Sequence, residues 1–157
     1  MDDASAIFEG YAQDPLVSRH LVWRPHSSLS DTQAYIARCL EAGSSRTYAV
    51  VERGEGQLIG GFDVRREASH RVGFGYVLAR LWWGRGLTTE ALREVVAWSL
   101  RQESVWRVSA VCDVENFASA RVMEKAGLER EGVLRRWVVH PNLGPEPRDC
   151  FSYARVR

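Results

Sequence analysis

The sequence predicts a single α/β domain built on a mixed, mostly antiparallel sheet flanked by helices, and three observations lead there. The chain has 157 residues, enough for one compact core and too few for two ordinary domains. Its hydrophobic fraction of 45% and charged fraction of 26% are those of a globular chain. Along it, apolar periodicity switches between the helical and the strand repeat. The order is helix, helix, three strands, helix, strand, helix, two strands.

Residues 4–13 carry Ile7, Phe8 and Tyr11 at helical spacing, and Pro15 bars continuation. Ser30 is the expected N-cap of the second helix; Asp31 suits its positive end. Tyr35, Ile36, Cys39 and Leu40 form its stripe, which stops at Gly43. Residues 47–52 and 58–64 read as strands joined at Gly54-Glu55-Gly56, a hairpin. Residues 72–78 form a third strand, in which Gly73 and Gly75 point to a bulge or a close backbone approach. A helix over 89–100 follows, with Ala91, Leu92, Val95, Val96 and Leu100 inward. Residues 105–114 alternate as a strand, and 117–125 form a short helix closed by Gly127. Strands over 128–140 and 150–156, separated by a loop over 141–147, complete the domain 1–157, with no repeat or linker.

Composition excludes some functions. A formal net charge of +1 gives no reason to expect nucleic acid or an anionic membrane as partner. Met1-Asp2-Asp3 is acidic where a secretion signal would be basic, and no run approaches the ~20 apolar residues that span a bilayer. Cys39, Cys112 and Cys150 lack metal-ligand spacing and read as free thiols in a reducing cytoplasm. His20, His26 and His70 have no spacing that suggests a metal, and none is expected. Of six tryptophans, Trp23, Trp82 and Trp83 sit beside polar or Gly-rich segments, as groove-lining residues would.

From Gly73 to Ala91 the order is strand, Gly-rich turn, helix. Such a turn exposes consecutive backbone N–H groups at the positive end of a helix dipole, which makes an anion site suited to a phosphate or pyrophosphate. Gly84 and Gly86 permit close approach, Thr88 and Thr89 add hydroxyls, and Arg85 adds a charge. Neither a P-loop lysine nor a dinucleotide Gly-x-Gly-x-x-Gly is present. Alone, Gly-Arg-Gly is as often a plain turn.

The flanks narrow the choice. Trp82-Trp83-Gly84-Arg85-Gly86-Leu87-Thr88-Thr89-Glu90-Ala91 resembles the acyl-CoA motif of GCN5-related N-acetyltransferases (GNAT), nearest to the ribosomal-protein N-terminal acetyltransferase branch. The stretch from Asn116 to Leu128, with Ser119, Arg121-Val122 and Glu124-Lys125, is similar to the same family's second signature. Glu131-Gly132 and the stretch from Asp149 to Arg155 match its closing hairpin. The resemblance covers about the C-terminal half. It implies acetyl-CoA as co-substrate, held by Leu78, Trp83, Gly84, Arg85, Gly86, Leu87, Thr88, Thr89, Asn116 and Ser119. It also implies a primary amine as acceptor, on a protein N-terminus or a small molecule. Two departures stand out: Leu81 occupies the place of a customary Gln or Arg, and the first helix starts almost at Met1, so that the family's first strand is absent, displaced or supplied by another chain. Its absence would leave a sheet edge exposed, and homodimerisation is compatible with that.

The resemblance also assigns roles. The oxyanion donor would be a backbone N–H at Val77 or Leu78, on a splayed or bulged strand. Many relatives protonate the departing thiolate with a tyrosine where this chain has Met123; Ser119, four residues earlier on the same helix face, takes that role here. Asn116 caps the helix and bonds the CoA arm. The branch's glutamate base has no counterpart in Trp137-Val138-Val139-His140, which leaves His140, water, Glu90 or Asp149. Trp23-Arg24-Pro25-His26 falls where the family builds its acceptor wall, so Trp23, Arg24 and Glu90 are candidate acceptor contacts. Arg121 and Lys125 read as solvated helix charges or as contacts to CoA phosphates. A non-catalytic acyl-CoA-binding module with the same fold is the competing reading.

Overall fold

The structure is a computed structural model and describes residues 3–157. It opens with α1 (Ala4–Ile7), prolonged by a π-helical turn (Phe8–Ala12). Then follow α2 (Pro15–Ser18), α3 (Leu29–Glu41) and the strands β1 (Ser45–Val51), β2 (Leu58–Ala68) and β3 (Arg71–Leu78). A 3-10 turn (Arg80–Trp82) leads into α4 (Leu87–Arg101), β4 (Arg107–Asp113), α5 (Phe117–Lys125), β5 (Glu129–Val139) and β6 (Pro147–Val156). The strands form one six-stranded sheet in the order β1-β2-β3-β4-β6-β5, antiparallel except for β3 and β4. No strand precedes α1 among the described residues, so β1 stands as one edge.

The helix expected over 89–100 begins two residues earlier and ends one later, and two other helix starts are capped differently from expectation. The second helix is capped by Ser28, not Ser30: the Ser28 hydroxyl accepts from the Asp31 amide, and the Asp31 carboxylate accepts from the Ser28 amide. Asp31 also accepts from Ser27, and this reciprocal arrangement satisfies donors that a cap two residues later would leave orphaned. Pro15 does not merely end the first helix. It occupies the first position of α2, whose first turn is capped by Asp14 through the Leu16 amide at 2.9 Å.

The sheet separates two apolar layers. On one face Leu92 and Val96 of α4 and Ala120 and Met123 of α5 pack on Phe62, Val72, Phe74, Val108, Cys112 and Tyr153. On the other, Ile7, Tyr11, Ala12 and Val17 pack on Ala79, Leu58 and Val77. Strand alternation does the sorting: Val72, Phe74 and Tyr76 point to α4 and α5, and Val77 points to the opposite side. Gly73 and Gly75 do not mark a bulge in β3. The register shift falls between Arg66 and Ala68 of β2, and the glycines leave room for Glu67 and Arg65 of β2 to cross over β3. Arg65 thereby donates to the Phe74 carbonyl at 3.1 Å. Among the described residues no helix is long and apolar enough to cross a membrane.

Candidate active site

β3 and β4 pair only at Arg71↔Arg107, Val72↔Val108 and Gly73↔Ser109; β3 then continues to Leu78 and β4 to Asp113 without pairing. A slot opens between them. Along it β3 bonds only to β2, so every second peptide group of β3 faces an empty edge. Ala79 donates to the Ile59 carbonyl at 2.8 Å, and a Cβ on Gly60 would collide with the Val77 carbonyl oxygen. Val77 and Ala79 therefore turn their peptide groups toward β2. Leu78 turns its own toward the slot. Its carbonyl is taken by the Trp83 indole N–H at 2.8 Å, and its N–H is left facing the opening. Of the two expected oxyanion donors, only Leu78 has that geometry.

At the end of the slot the chain turns through Gly84 (φ 76°) and Gly86 (φ 80°), the left-handed region where a side chain is strained. Gly86 caps α4, and the first amide of the turn to find a backbone acceptor is that of Glu90, on the Gly86 carbonyl at 3.0 Å. The amides from Gly84 to Thr89 have no backbone partner among the described residues. They form a concentrated donor set, strengthened by a helix of fifteen residues behind it. Apart from the adjoining residues, no atom lies within 4 Å of where a Cβ on either glycine would stand, so the turn is open to a ligand. Arg85 is stacked over Trp82, 4.7 Å from the ring centroid. Thr89 is buried, Thr88 half-buried, and Leu81 exposed. These features fit a pyrophosphate.

Asn116 caps α5 by accepting from the Ser119 amide at 3.2 Å, as expected. Ser119 is half-buried, and its hydroxyl lies 2.8 Å from the Tyr76 hydroxyl of β3, which also reaches the Ser119 carbonyl at 3.3 Å. Met123, by contrast, is buried in the core and lines no part of the slot. Sequence reasoning missed Tyr76. The one available signal was its place two residues before Leu78 on the helix-facing side of β3. Burial pushes the Tyr76 phenol well above its ordinary range, although the Ser119 hydrogen bond works against this. The phenol therefore stays protonated. Either hydroxyl can donate in this pair; when the phenol does, the serine hydrogen is free for another acceptor.

On the opposite face, Asp113 ends β4 with a fully buried side chain. Arg148 donates to it at 2.5 and 3.3 Å, and the Glu115 amide at 2.9 Å. Burial alone would raise the Asp113 carboxyl; Arg148 and the Glu115 amide together hold it below its ordinary value. His140 sits beside it, 4% exposed, with Nε2 at 3.7 Å. His20, left unassigned by sequence, has Nδ1 at 3.9 Å. Neither histidine makes a hydrogen bond to the carboxylate at these distances. Asn142 also escaped sequence reasoning: its amide donates to the Ser18 and Trp23 carbonyls at 2.6 and 2.8 Å, strapping the α2–α3 loop to the β5–β6 loop.

The remaining candidates spread out. Trp23 heads a row of aromatic rings through His26 to Tyr35, with centroids 5.3 and 5.8 Å apart, while Arg24 is exposed. Glu90 is exposed on the first turn of α4 and makes no ion pair among the described residues. The carboxylate of Asp149 accepts from the Arg136 amide at 2.8 Å. Among the described residues no group of three or more His, Cys, Asp or Glu is placed to hold a metal, and the three cysteines are free.

Comparison with known proteins follows the same lines. The family model "Acetyltransferase (GNAT) domain" matches residues 1–129. The chain is 28% identical over 160 residues to the N-acetyltransferase YoaA of Bacillus subtilis, covering 99% of this chain and 89% of that one. It is 26% identical to the [ribosomal protein uS5]-alanine N-acetyltransferase of Escherichia coli, over 87% of this chain and 75% of that one. Among solved structures, a GNAT-family acetyltransferase from Bacillus anthracis superposes with a TM-score of 0.86 at 26% identity, covering 99% and 89% of the two chains. The spermidine N-acetyltransferase of Vibrio cholerae, solved with CoA and spermine, gives a TM-score of 0.80 at 15% identity, covering 99% and 90%. With that family model spanning most of its length, and with the slot and donor turn in place, the chain belongs to the GNAT family of acetyltransferases.

Proposed function

We propose that this chain transfers the acetyl group of acetyl-CoA to a primary amine by direct attack in a ternary complex. The observation that carries the reading is two sets of unsatisfied donors along one slot: the amides from Gly84 to Thr89 at its end, and the Leu78 N–H inside it. The turn suits the pyrophosphate of CoA, and the edge of β3 suits its pantetheine amides. Holding thioester and amine together supplies much of the acceleration. The Leu78 N–H stabilises the oxyanion, being fixed by its strand before the reaction begins. The Ser119 hydroxyl, backed by Tyr76, protonates the CoA thiolate as the C–S bond breaks.

The acceptor class is a peptide α-amine or a small amine. The name of the Escherichia coli relative supports the first, and that of the Vibrio cholerae neighbour the second. An α-amine loses its proton at about 8, against about 10.4 for a lysine, and demands less of a base. Free thiols support action in a reducing compartment, the cytoplasm.

The test is CoA release from acetyl-CoA across peptides beginning with Ala or Ser and across spermidine. Wild-type protein turns over at least one of them. Ser119→Ala lowers kcat by about 10²-fold and changes the acetyl-CoA Kd by no more than a few-fold. Binding without turnover on any acceptor favours a non-catalytic acyl-CoA module. Failure of saturating acetyl-CoA to raise the melting temperature overturns both readings.

A further inference from the structure

The reaction needs somewhere to send the amine proton, and the strand position where relatives place a glutamate has none here. The opposite face of the slot offers a different group. Alternation along β4 turns Val108, Ala110 and Cys112 toward α4 and α5, and so turns Asp113 the other way. The Tyr76–Ser119 pair and the Asp113 cluster thus flank the slot from opposite sides. One side can serve the departing sulfur and the other the arriving nitrogen.

Within the cluster the two histidines are not equivalent. Both ring nitrogens of His140 are buried and unpartnered, so it is enclosed. His20 has only Nδ1 buried, and that atom faces Asp113; Nε2 keeps contact with solvent. A carboxylate behind Nδ1 with an open Nε2 is the arrangement in which an imidazole accepts a proton and its cation is stabilised from the rear. The Asn142 strap on Ser18 and Trp23 grips the loop on both sides of His20 and fixes that orientation.

We propose that His20 is the general base, taking the amine proton on Nε2, with Asp113 as the positioning residue behind it. This rests on the acetyltransferase reading above. The amine nitrogen attacks the thioester carbon, the C–N bond forms, and the carbonyl π pair moves to oxygen. The N–H proton passes to His20 Nε2. The C=O bond reforms, the C–S bond breaks, and the thiolate takes the Ser119 proton. His20 later releases its proton to solvent and the Ser119–Tyr76 pair recovers one, so protons balance. The groups facing His20 are Asp113 of β4, Arg148 of β6, His140 after β5 and Arg19 after α2, with Glu115 reached through Arg148. Burial lowers the His20 imidazole, Asp113 opposes that, and Arg19, His140 and Arg148 add to the lowering. The ring is therefore neutral at pH 7 and able to accept a proton.

The experiment uses the full chain, acetyl-CoA, and whichever of the peptides or spermidine the wild type acetylates. His20→Gln is expected to keep the acetyl-CoA thermal shift, lower kcat/KM for the amine by about 10²-fold, and lose the imidazole limb of the pH profile. Imidazole in the buffer restores part of the rate to His20→Ala, which a merely structural role would not allow. Asp113→Asn moves the limb to lower pH, and His70→Gln, at the far end of the sheet, leaves it in place. An unchanged limb in His20→Gln, or a limb lost in His140→Gln alone, overturns the assignment. In folded wild type, a His20 ring that shows no titration by NMR between about pH 4 and 8 overturns it independently of any variant. Absence of wild-type turnover would instead strike the parent reading, so the two failures are distinguishable.

Discussion

The two faces of the β3–β4 slot hold their functional groups by opposite means. On the helix side, Tyr76 and Ser119 are neutral hydroxyls set in an apolar layer with Phe62, Phe74 and Cys112. On the other side, a carboxylate, a guanidinium and two imidazoles meet at the ends of strands and loops. The hydroxyl pair is positioned by elements that would pack the same way without it. The charged cluster is interdependent at its centre, because deleting Arg148 leaves the fully buried Asp113 carboxylate without its ion pair. One face should therefore lose rate without losing stability, and the other both together.

The largest effect expected is on the charged face. Arg148→Ala leaves the fully buried Asp113 carboxylate without its ion pair and should cost about 3 kcal/mol in urea unfolding, while Tyr76→Phe costs less than about 1 kcal/mol. If both cost the same, the contrast between the faces is wrong. The pH dependence sharpens it further. Because the folded Asp113 carboxyl lies below its ordinary value, its contribution is present above about pH 4 and lost as pH falls through the folded value. Asp113→Asn should lack that acid-side loss.

Next comes the end of the slot, which both faces share. Gly86→Val forces a branched side chain into φ 80° and should weaken acetyl-CoA about 10-fold by calorimetry. An equal loss of amine KM would show that the turn serves more than the cofactor. Tyr76→Phe should lower kcat about 5-fold, less than Ser119→Ala, because in the proposed reaction the serine is the proton donor and the tyrosine only orients it. The smallest change expected is from Asn142→Ala, about 1 kcal/mol, with acceptor KM raised a few-fold and the acetyl-CoA Kd unmoved.

Much of the frame was legible because it is local. Residues 117–125 were readable as a helix to the residue, since Asn116 caps it and Gly127, at φ 86°, closes it. The donor turn was legible from its glycines and neighbours. The Ser28 cap was within reach, because the Ser-x-x-Asp spacing from Ser28 to Asp31 carries it. What stayed hidden depends on register and topology. That β3 and β4 part after Gly73 is a fact about two strands, and no periodicity within either reveals it. Tyr76 and Ser119 meet across 43 positions, and His20, Asp113, His140 and Arg148 come from four separate segments. Nor could the glycines of β3 announce that they yield space to Arg65 and Glu67 instead of to a bulge.

The Asn142 strap joins positions separated by 124 and 119 residues. Closing so long a loop carries an entropic cost that the short-range contacts of the donor turn and α4 never meet. During synthesis the cofactor-side turn therefore has its local partners well before the segment carrying Asn142 exists. Local fraying at the strap should therefore loosen the loop that carries His20 and Trp23 while the donor turn, held by short-range contacts, stays formed.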